Sequence, residues 1–422
     1  MTASPPRSPP GPYAIVALCA AIQFLNSVDA SMLIPMGPLL VVAIGIKPAH
    51  IGYLSAAYMV SACVSGLIGS LILDRFDRRK ALSVAIAGLV IGTGLGGLAV
   101  DPATMIAARI VAGLFGGPAA ALSITVIADL IGIERRGWAM AVVSIGTTVA
   151  GVAGIPLSLE LALWGGWREP FFVVALLGFI ISGCAYAILP SGRGHIAGGA
   201  GQPLRLIISE FRGILAKSST LLAIVSSSLL GAETMMLSVS LAPFFVYNLG
   251  YPQSKLAFLW MVGGIFAFFV AQITGRLIDR SGPMRLLWLM TAAGAANTYF
   301  LYIDETRLIG PVALFCFFCA TNFSRLIILT TVTSMVPKEA ERARFMSLLS
   351  AAQQGAMAVA IVLAGNFLVA GPDGALVNMD GVAEAGIASA FVAALGATLL
   401  WRIMKPLSRA ASRLEGSARR SA

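Results

Sequence analysis

Twelve apolar runs, each about as long as the ~20 residues a membrane-crossing helix needs, follow one another along this chain and restrict its fold more than any other feature. They cover residues 13–36, 50–73, 81–100, 103–126, 138–161, 169–189, 220–243, 255–278, 284–303, 308–335, 344–370 and 384–404. In hydrocarbon no water satisfies backbone N–H and C=O groups, so such a run is stable only as a helix. Charged residues make up 11% of the chain, against roughly 25% in a soluble protein. The expected fold class is all-α integral membrane, with 12 transmembrane helices.

The longest polar interruption, Ser191 to Ser219, carries Arg193, Arg205, Arg212 and Lys217 and divides the runs six and six. We expect a helical bundle over 13–190, a cytoplasmic linker over 191–219 and a second bundle over 220–404. Residues 1–12, rich in proline and serine, read as a disordered cytoplasmic N-terminus and not as a cleaved signal; residues 405–422 read as a basic cytoplasmic tail. The net charge of +10 sits in short loops between apolar runs, which points to membrane orientation and not to nucleic acid. With the N-terminus inside, 23 of the 29 basic residues fall on the cytoplasmic side and four on the other, Lys47, Arg168, Lys255 and Arg307. Short-loop positive charge sets topology, so both termini are expected in the cytoplasm.

Cys19, Cys63, Cys184, Cys316 and Cys319 all fall inside apolar runs and read as small buried hydrophobes. Cys316 and Cys319 have the spacing of a metal pair, yet no second pair or nearby histidine completes a site, so no metal and no cofactor is expected. No stretch reads G-x-x-x-x-G-K-[ST]. Energy for transport would come from a gradient or from a partner ATPase.

Two loops share a pattern. Asp74-Arg75, followed by Asp77, Arg78 and Arg79, closes the second run, and Asp279-Arg280, followed by Gly282 and Arg285, closes the eighth, 205 residues on. One copy per half suggests a duplicated membrane architecture. The two loops resemble the G-x-L-x-D-R-x-G-R-R loop of the major facilitator superfamily, with Ser70 and Asp77 where that family has glycines in the first copy. Arg109-Ile110-Val111-Ala112-Gly113 is similar to the family's helix 4 element. Gly146, Gly151, Gly154 and Pro156 are similar to its glycine-proline antiporter motif, with Ile155 and Leu159 standing where glycines are usual. Gly166-Trp167-Arg168 resembles the helix 5–6 junction of bacterial efflux-type members. The resemblance implies two pseudo-symmetric six-helix bundles around a cavity that opens alternately to each side. It also implies a helix-packing role for Gly113, Gly146, Gly154 and Pro156.

A charge at mid-span costs about 2.5–3.5 kcal/mol on insertion scales, so each ionisable residue inside a run is a functional candidate. Gln23, Asn26 and Asp29 share one face of the first helix, expected to look into the cavity and not at lipid. Asp29 reads as a proton carrier or cation-binding carboxylate, or as the structural partner of an arginine on a neighbouring helix. Arg109 heads a stripe of Gly113, Gly116 and Ala120; it either snorkels to the outer interface or, as the resemblance suggests, works with the first helix in proton coupling. Glu233 lies between Ser226 and Ser240 on one stripe and nearly mirrors Asp29 in the second half. Arg325, near Asn322 and Thr321 and too deep to snorkel, pairs with Glu233 or Asp29 or awaits an anionic substrate group. Gln353 and Gln354 suit hydrogen bonds to substrate or between helices; Tyr58, Asn297 and Asn366 are lesser polar candidates. Asp74 and Asp279, among Arg75, Arg78, Arg280 and Arg285, read as gate latches or as static helix-end pairs. Asp77 adds negative charge there and predicts a tighter or rewired gate in the N-terminal half.

These readings converge on a secondary active transporter that moves a small organic solute by alternating access, with proton-coupled export leading. Uptake or exchange of an organic anion bound at Arg325 is the alternative, and a receptor built on the same fold a third reading. An enzyme would need a nucleophile–base pair or metal cluster at membrane depth, which the sequence lacks. The expected partners are the solute, protons and the lipid bilayer, without nucleic acid, and the expected state is a monomer in a bacterial cytoplasmic membrane.

Overall fold

Proline, glycine and capping side chains set where each apolar run begins and ends as a helix. A computed structural model describes residues 11–72, 76–190, 209, 212–304, 306, 308–337, 341–371 and 373–421. The first run forms α1 (Pro12–Ser31) and α2 (Leu33–Ile44), joined at Met32, so Pro35 and Pro38 do not end it. Next come α3 (Gly52–Ile72), α4 (Arg78–Gly97) and α5 (Pro102–Leu130). Asp101 starts α5 with a capping box: its carboxylate accepts from Thr104 N–H, and Thr104 Oγ1 accepts from Asp101 N–H. The fifth run splits into α6 (Ile133–Val149) and α7 (Ile155–Gly165) around a π-turn at Ala150–Gly154. Pro156 lacks the N–H that an α-turn would need there, and the chain widens one turn ahead of it. The helix α8 (Glu169–Ile188) ends the first half.

The second half holds α9 (Ser218–Pro243), α10 (Leu256–Ser281), α11 (Pro283–Tyr302), α12 (Pro311–Thr333), α13 (Arg342–Phe367) and α14 (Met379–Ser421). A short antiparallel hairpin, β1 (Val369–Ala370) with β2 (Leu376–Val377), links α13 to α14. Among the described residues eleven helical segments are long and apolar enough to cross a membrane, where twelve were expected. The segment outside that set is α11, whose 20 residues include Thr291, Asn297 and Thr298. The chain is thus an all-α, multi-span membrane protein.

Helices within each half pack mainly on one another: α5 on α3 and α4, α1 on α5, α6 and α8; α9 on α13 and α14, α12 on α10 and α11. The halves meet where α3 packs on α13, α2 on α9 and α7 on α10. At the end of the molecule that holds the start of α3 and the close of α13, Tyr53 Oη donates to Asn366 Oδ1 at 2.6 Å across 313 residues of sequence. At that end Gly37 abuts Pro243, and Gly365 abuts Ala49 and Tyr53. His50 stacks on the Tyr53 ring with centroids 4.9 Å apart.

Candidate functional site

The centre of the first half is built from four helices. Asp29, on α1, has no exposed surface, and Arg109, on α5, is equally buried. Arg109 Nη1 donates to Asp29 Oδ1 at 3.1 Å and Nη2 to the Asp29 carbonyl at 3.0 Å. Thr93, on α4, donates its hydroxyl to the same Oδ1 at 2.6 Å. The Arg109 guanidinium lies 4.6 Å above the Tyr58 ring of α3, a cation–π contact. Tyr58 Oη in turn donates to Asn26 Oδ1 at 3.1 Å. Gln23 Nε2 donates to Ser123 Oγ and to the Ala120 carbonyl on α5. Gln23, Asn26 and Asp29 therefore bind their own half. The cavity-facing stripe expected of them is corrected for Asp29, which is wholly enclosed, because α3, α4 and α5 close over that face of α1.

Small residues make this closure possible. A Cβ on Gly113 would overlap Ser61 Oγ and the Tyr58 carbonyl, so α5 touches the α3 backbone there. Gly146 and Gly154 stand against Ala20 and Val28 of α1, and Pro156 is buried beside them. The outward snorkelling weighed for Arg109 does not occur, since the guanidinium turns inward onto Asp29.

The second half holds a related pair with different neighbours. Arg325, on α12, donates from Nη2 to Glu233 Oε1 on α9 at 2.9 Å and to Asn322 Oδ1 at 2.7 Å. Thr234 also donates to Asn322 Oδ1, at 2.9 Å, and Asn322 Nδ2 holds the Phe318 carbonyl. All of Glu233, Arg325, Asn322, Ser226 and Ser240 are buried. Of the partners open to Arg325 in the sequence, Glu233 is the one it takes. Gln353 Nε2 reaches the Ser227 carbonyl at 3.5 Å, a contact between α13 and α9, while Gln354 is half-buried.

The loop residues divide differently. Asp74 and Arg75 lie outside the described residues, as does the side chain of Asp279; Arg280 and Arg285 are exposed. Asp77 is the N-cap of α4, its carboxylate accepting from Arg79 N–H at 2.9 Å. In the structure its charge thus serves a helix start. Arg78 bridges to Asp129 at the end of α5 at 3.3 Å, and Arg79 lies over the Tyr186 ring at 3.9 Å. Among the described residues no group of three or more His, Cys, Asp or Glu could hold a metal, and the five cysteines are free.

Sequence reasoning missed Thr93, an uncharged residue inside a glycine-rich run, and placed Tyr58 among the lesser candidates. A hydroxyl at period three or four from small residues was the available signal for each, and it is a weak one.

The chain matches the family described as Major Facilitator Superfamily over residues 19–361. It is 26% identical over 280 residues to a chloramphenicol resistance protein of Streptomyces lividans, covering 64% of this chain and 69% of that one. It is 28% identical over 274 residues to the inner membrane transport protein YdhP of Escherichia coli strain K12, covering 64% and 67%. Its fold is shared with the crystal structure of a D-xylose-proton symporter at a TM-score of 0.71 and 16% identity, over 92% of this chain and 97% of that chain. A bacterial homologue of the lysosomal transporter Spinster, in an inward-facing state, superposes at 0.68 with 17% identity, over 96% and 99%.

Proposed function

Because the chain belongs to the Major Facilitator Superfamily, a family of transporters and not of enzymes, we propose that it carries a small organic solute by secondary active, alternating-access transport coupled to protons. The observation that carries the coupling is the Asp29–Arg109 pair, a carboxylate without exposed surface whose Oδ2 has no partner among the described residues. A buried ion pair that exchanges its proton as the halves move would tie solute flux to the gradient. The α11 helix is the twelfth span, completing two six-helix bundles over 13–190 and 220–404 joined by the 191–219 linker. The bias of basic residues toward one side supports cytoplasmic termini in a bacterial inner membrane. The protein acts as a monomer.

For direction, uptake or exchange of an organic anion is favoured by Arg325, whose Nε and Nη1 have no partner among the described residues. Such a planar fork suits a carboxylate. Export is the second reading, favoured by the relative named for chloramphenicol resistance. Reconstituted vesicles separate them: addition of a carboxylate solute should drive a change in lumenal pH that Asp29→Asn abolishes. Solute flux indifferent to a protonophore and to Asp29→Asn would remove the proton from the mechanism. Flux of neutral compounds that survives Arg325→Ala would favour export.

A further inference from the structure

Where the two halves meet at the Tyr53 end, the surface of the molecule carries a groove of about 480 Å³. Its floor is α3, at Ala57, Val60 and Val64. One wall is α5, at Ile106, Ile110 and Leu114, and the other is Val362 of α13, from the second half. Alanines at 56 and 57 leave the floor low between branched side chains on the two neighbouring helices. The groove opens away from the protein core. Val60 and Val64 stand two residues to either side of Ala62, and at about 100° per residue that puts them on the opposite face of α3. Ala62 is buried, its carbonyl against Gly117 of α5, while Val60, Val64, Ile110, Leu114 and Val362 are exposed.

In a multi-span membrane protein such a face meets hydrocarbon, and the dimensions of the groove fit one leaflet of it. From Tyr53 to Val64 the floor runs about 16 Å, and from Ile106 to Leu114 the wall runs about 12 Å, at 1.5 Å per helical residue. Half of the ~30 Å hydrocarbon core is about 15 Å. Since α3 and α5 start at this end and α13 closes there, the groove runs from the membrane interface toward the bilayer middle. Its lining asks for no hydrogen bond. Both hydroxyls are taken, Ser61 Oγ donating to the Ala57 and Tyr58 carbonyls at 2.9 Å and Tyr53 Oη to Asn366. A water or a polar solute would find no partner there.

We propose that this groove binds one acyl chain of a phospholipid from the leaflet at the Tyr53 end, with the chain terminus toward Val64 and Leu114. Within a bilayer no hydrophobic driving force separates protein from lipid tails, so such binding rests on van der Waals packing. A chain lying in the groove meets protein on three sides, where a chain beside a single exposed helix meets it on one. The bound chain touches α3 and α5 of the first half and α13 of the second. It therefore joins the halves along the same seam that the Tyr53–Asn366 hydrogen bond crosses.

The test uses the full-length protein in phosphatidylethanolamine–phosphatidylglycerol vesicles containing a trace of phospholipid with a photoreactive diazirine on one acyl chain. The diazirine sits either near the glycerol or at the chain terminus, and mass spectrometry maps the adducts after irradiation. The exposed apolar face of α8 at Leu176, Phe179 and Ile180 reports ordinary bilayer contact. It belongs to the same leaflet, since Arg168 at the start of α8 donates to the Ala99 carbonyl just ahead of α5. Adducts in the groove should exceed those on α8 several-fold. The near-glycerol label should react at Tyr53 and Ile106, and the terminal label at Val64 and Leu114. Val60→Trp fills the groove from its exposed floor and should lower the groove adducts several-fold while those on α8 stay as they were. Ala57→Leu fills it from a second position and should do the same, which decides the matter if Val60→Trp does not fold. Equal yields at the groove and α8, or groove adducts indifferent to both substitutions, overturn the site and leave only bilayer contact. A reversed order of depth overturns it too, and so does cross-linking of the groove to a second copy of the chain in place of lipid.

Discussion

The two buried carboxylate–arginine pairs differ in how completely their surroundings satisfy them. Arg109 donates through Nη1 and Nη2 to the Asp29 carboxylate and carbonyl and lies on the face of Tyr58, Thr93 adds a second bond to the same carboxylate oxygen, and Arg109 Nε and Asp29 Oδ2 have no partner among the described residues. Arg325 makes both of its hydrogen bonds through one nitrogen, to Glu233 and Asn322, and leaves the other two without partners among the described residues. The glycines behind each pair differ in the same sense. Gly113 sits where any Cβ would strike α3, while Gly294 sits where a Cβ would fit. A pair locked by four helices is suited to transmit a change of charge as a movement of those helices. A pair with spare donors is suited to receive a guest.

The sharpest way to break this contrast is to remove each arginine. Arg109→Leu strands the Asp29 carboxylate with Thr93 alone and should cost about 3–5 kcal/mol of stability, read from denaturant or thermal unfolding in detergent. Arg325→Leu should cost less, because fewer interactions are lost with it. An equal or larger loss would show that the second pair is the better satisfied. Thr93→Val removes a hydrogen bond to a charged acceptor and should cost about 1.5–3 kcal/mol; among the described residues no hydroxyl makes the same bond to Glu233.

Gly113→Ala should cost about 1–3 kcal/mol, since α3 and α5 must separate to admit the methyl group. Gly294→Ala should be near neutral or stabilising by the same measurement, and comparable losses at both positions would erase the difference between the two halves. Tyr58→Phe keeps the ring under Arg109 and loses only the bond to Asn26, so about 0.5–1.5 kcal/mol is expected.

The smallest effect concerns how the arginine-bearing helices begin. Asp101 caps α5 through Thr104, whereas α12 begins at Gly310 without a side-chain cap. The Thr104 N–H and then its hydroxyl hold the Asp101 carboxyl below its usual range. A depressed folded-state value means the cap contributes above the unfolded-state pKa and is lost as pH falls through the folded-state one. Hydrogen exchange in the first turn of α5 should accelerate on acidification below the ordinary aspartate range, and that of α12 should show no such step. Equal behaviour in both would remove the cap from the comparison.

Much of the architecture was legible because hydropathy is a local property. A run of apolar residues must become a helix in hydrocarbon whatever surrounds it, and an ionisable residue inside such a run stands out by its cost. Asp29, Arg109, Glu233 and Arg325 were visible for that reason, and the partner of Arg325 was left among Glu233, Asp29 and an anionic substrate group. Thr93 escaped notice because a threonine at mid-span carries no comparable cost. The capping role of Asp77 escaped notice because a carboxylate beside arginines draws attention to charge pairing and not to the backbone N–H of the helix it starts.

What the sequence determined by itself was the membrane class, the order of the helices, the repeat of the two loops and which ionisable residues lie within the apolar runs. The tertiary structure decided the rest: that Asp29 meets Arg109 across 80 positions and Glu233 meets Arg325 across 92, that the Asp29 face of α1 is closed over, and that Arg325 keeps two nitrogens in hand. The reason is physical. A helix carries its periodicity in its own residues, but which face meets which neighbour depends on rotation and crossing angle, and these are set by the close approach of small residues on helices far apart in the chain.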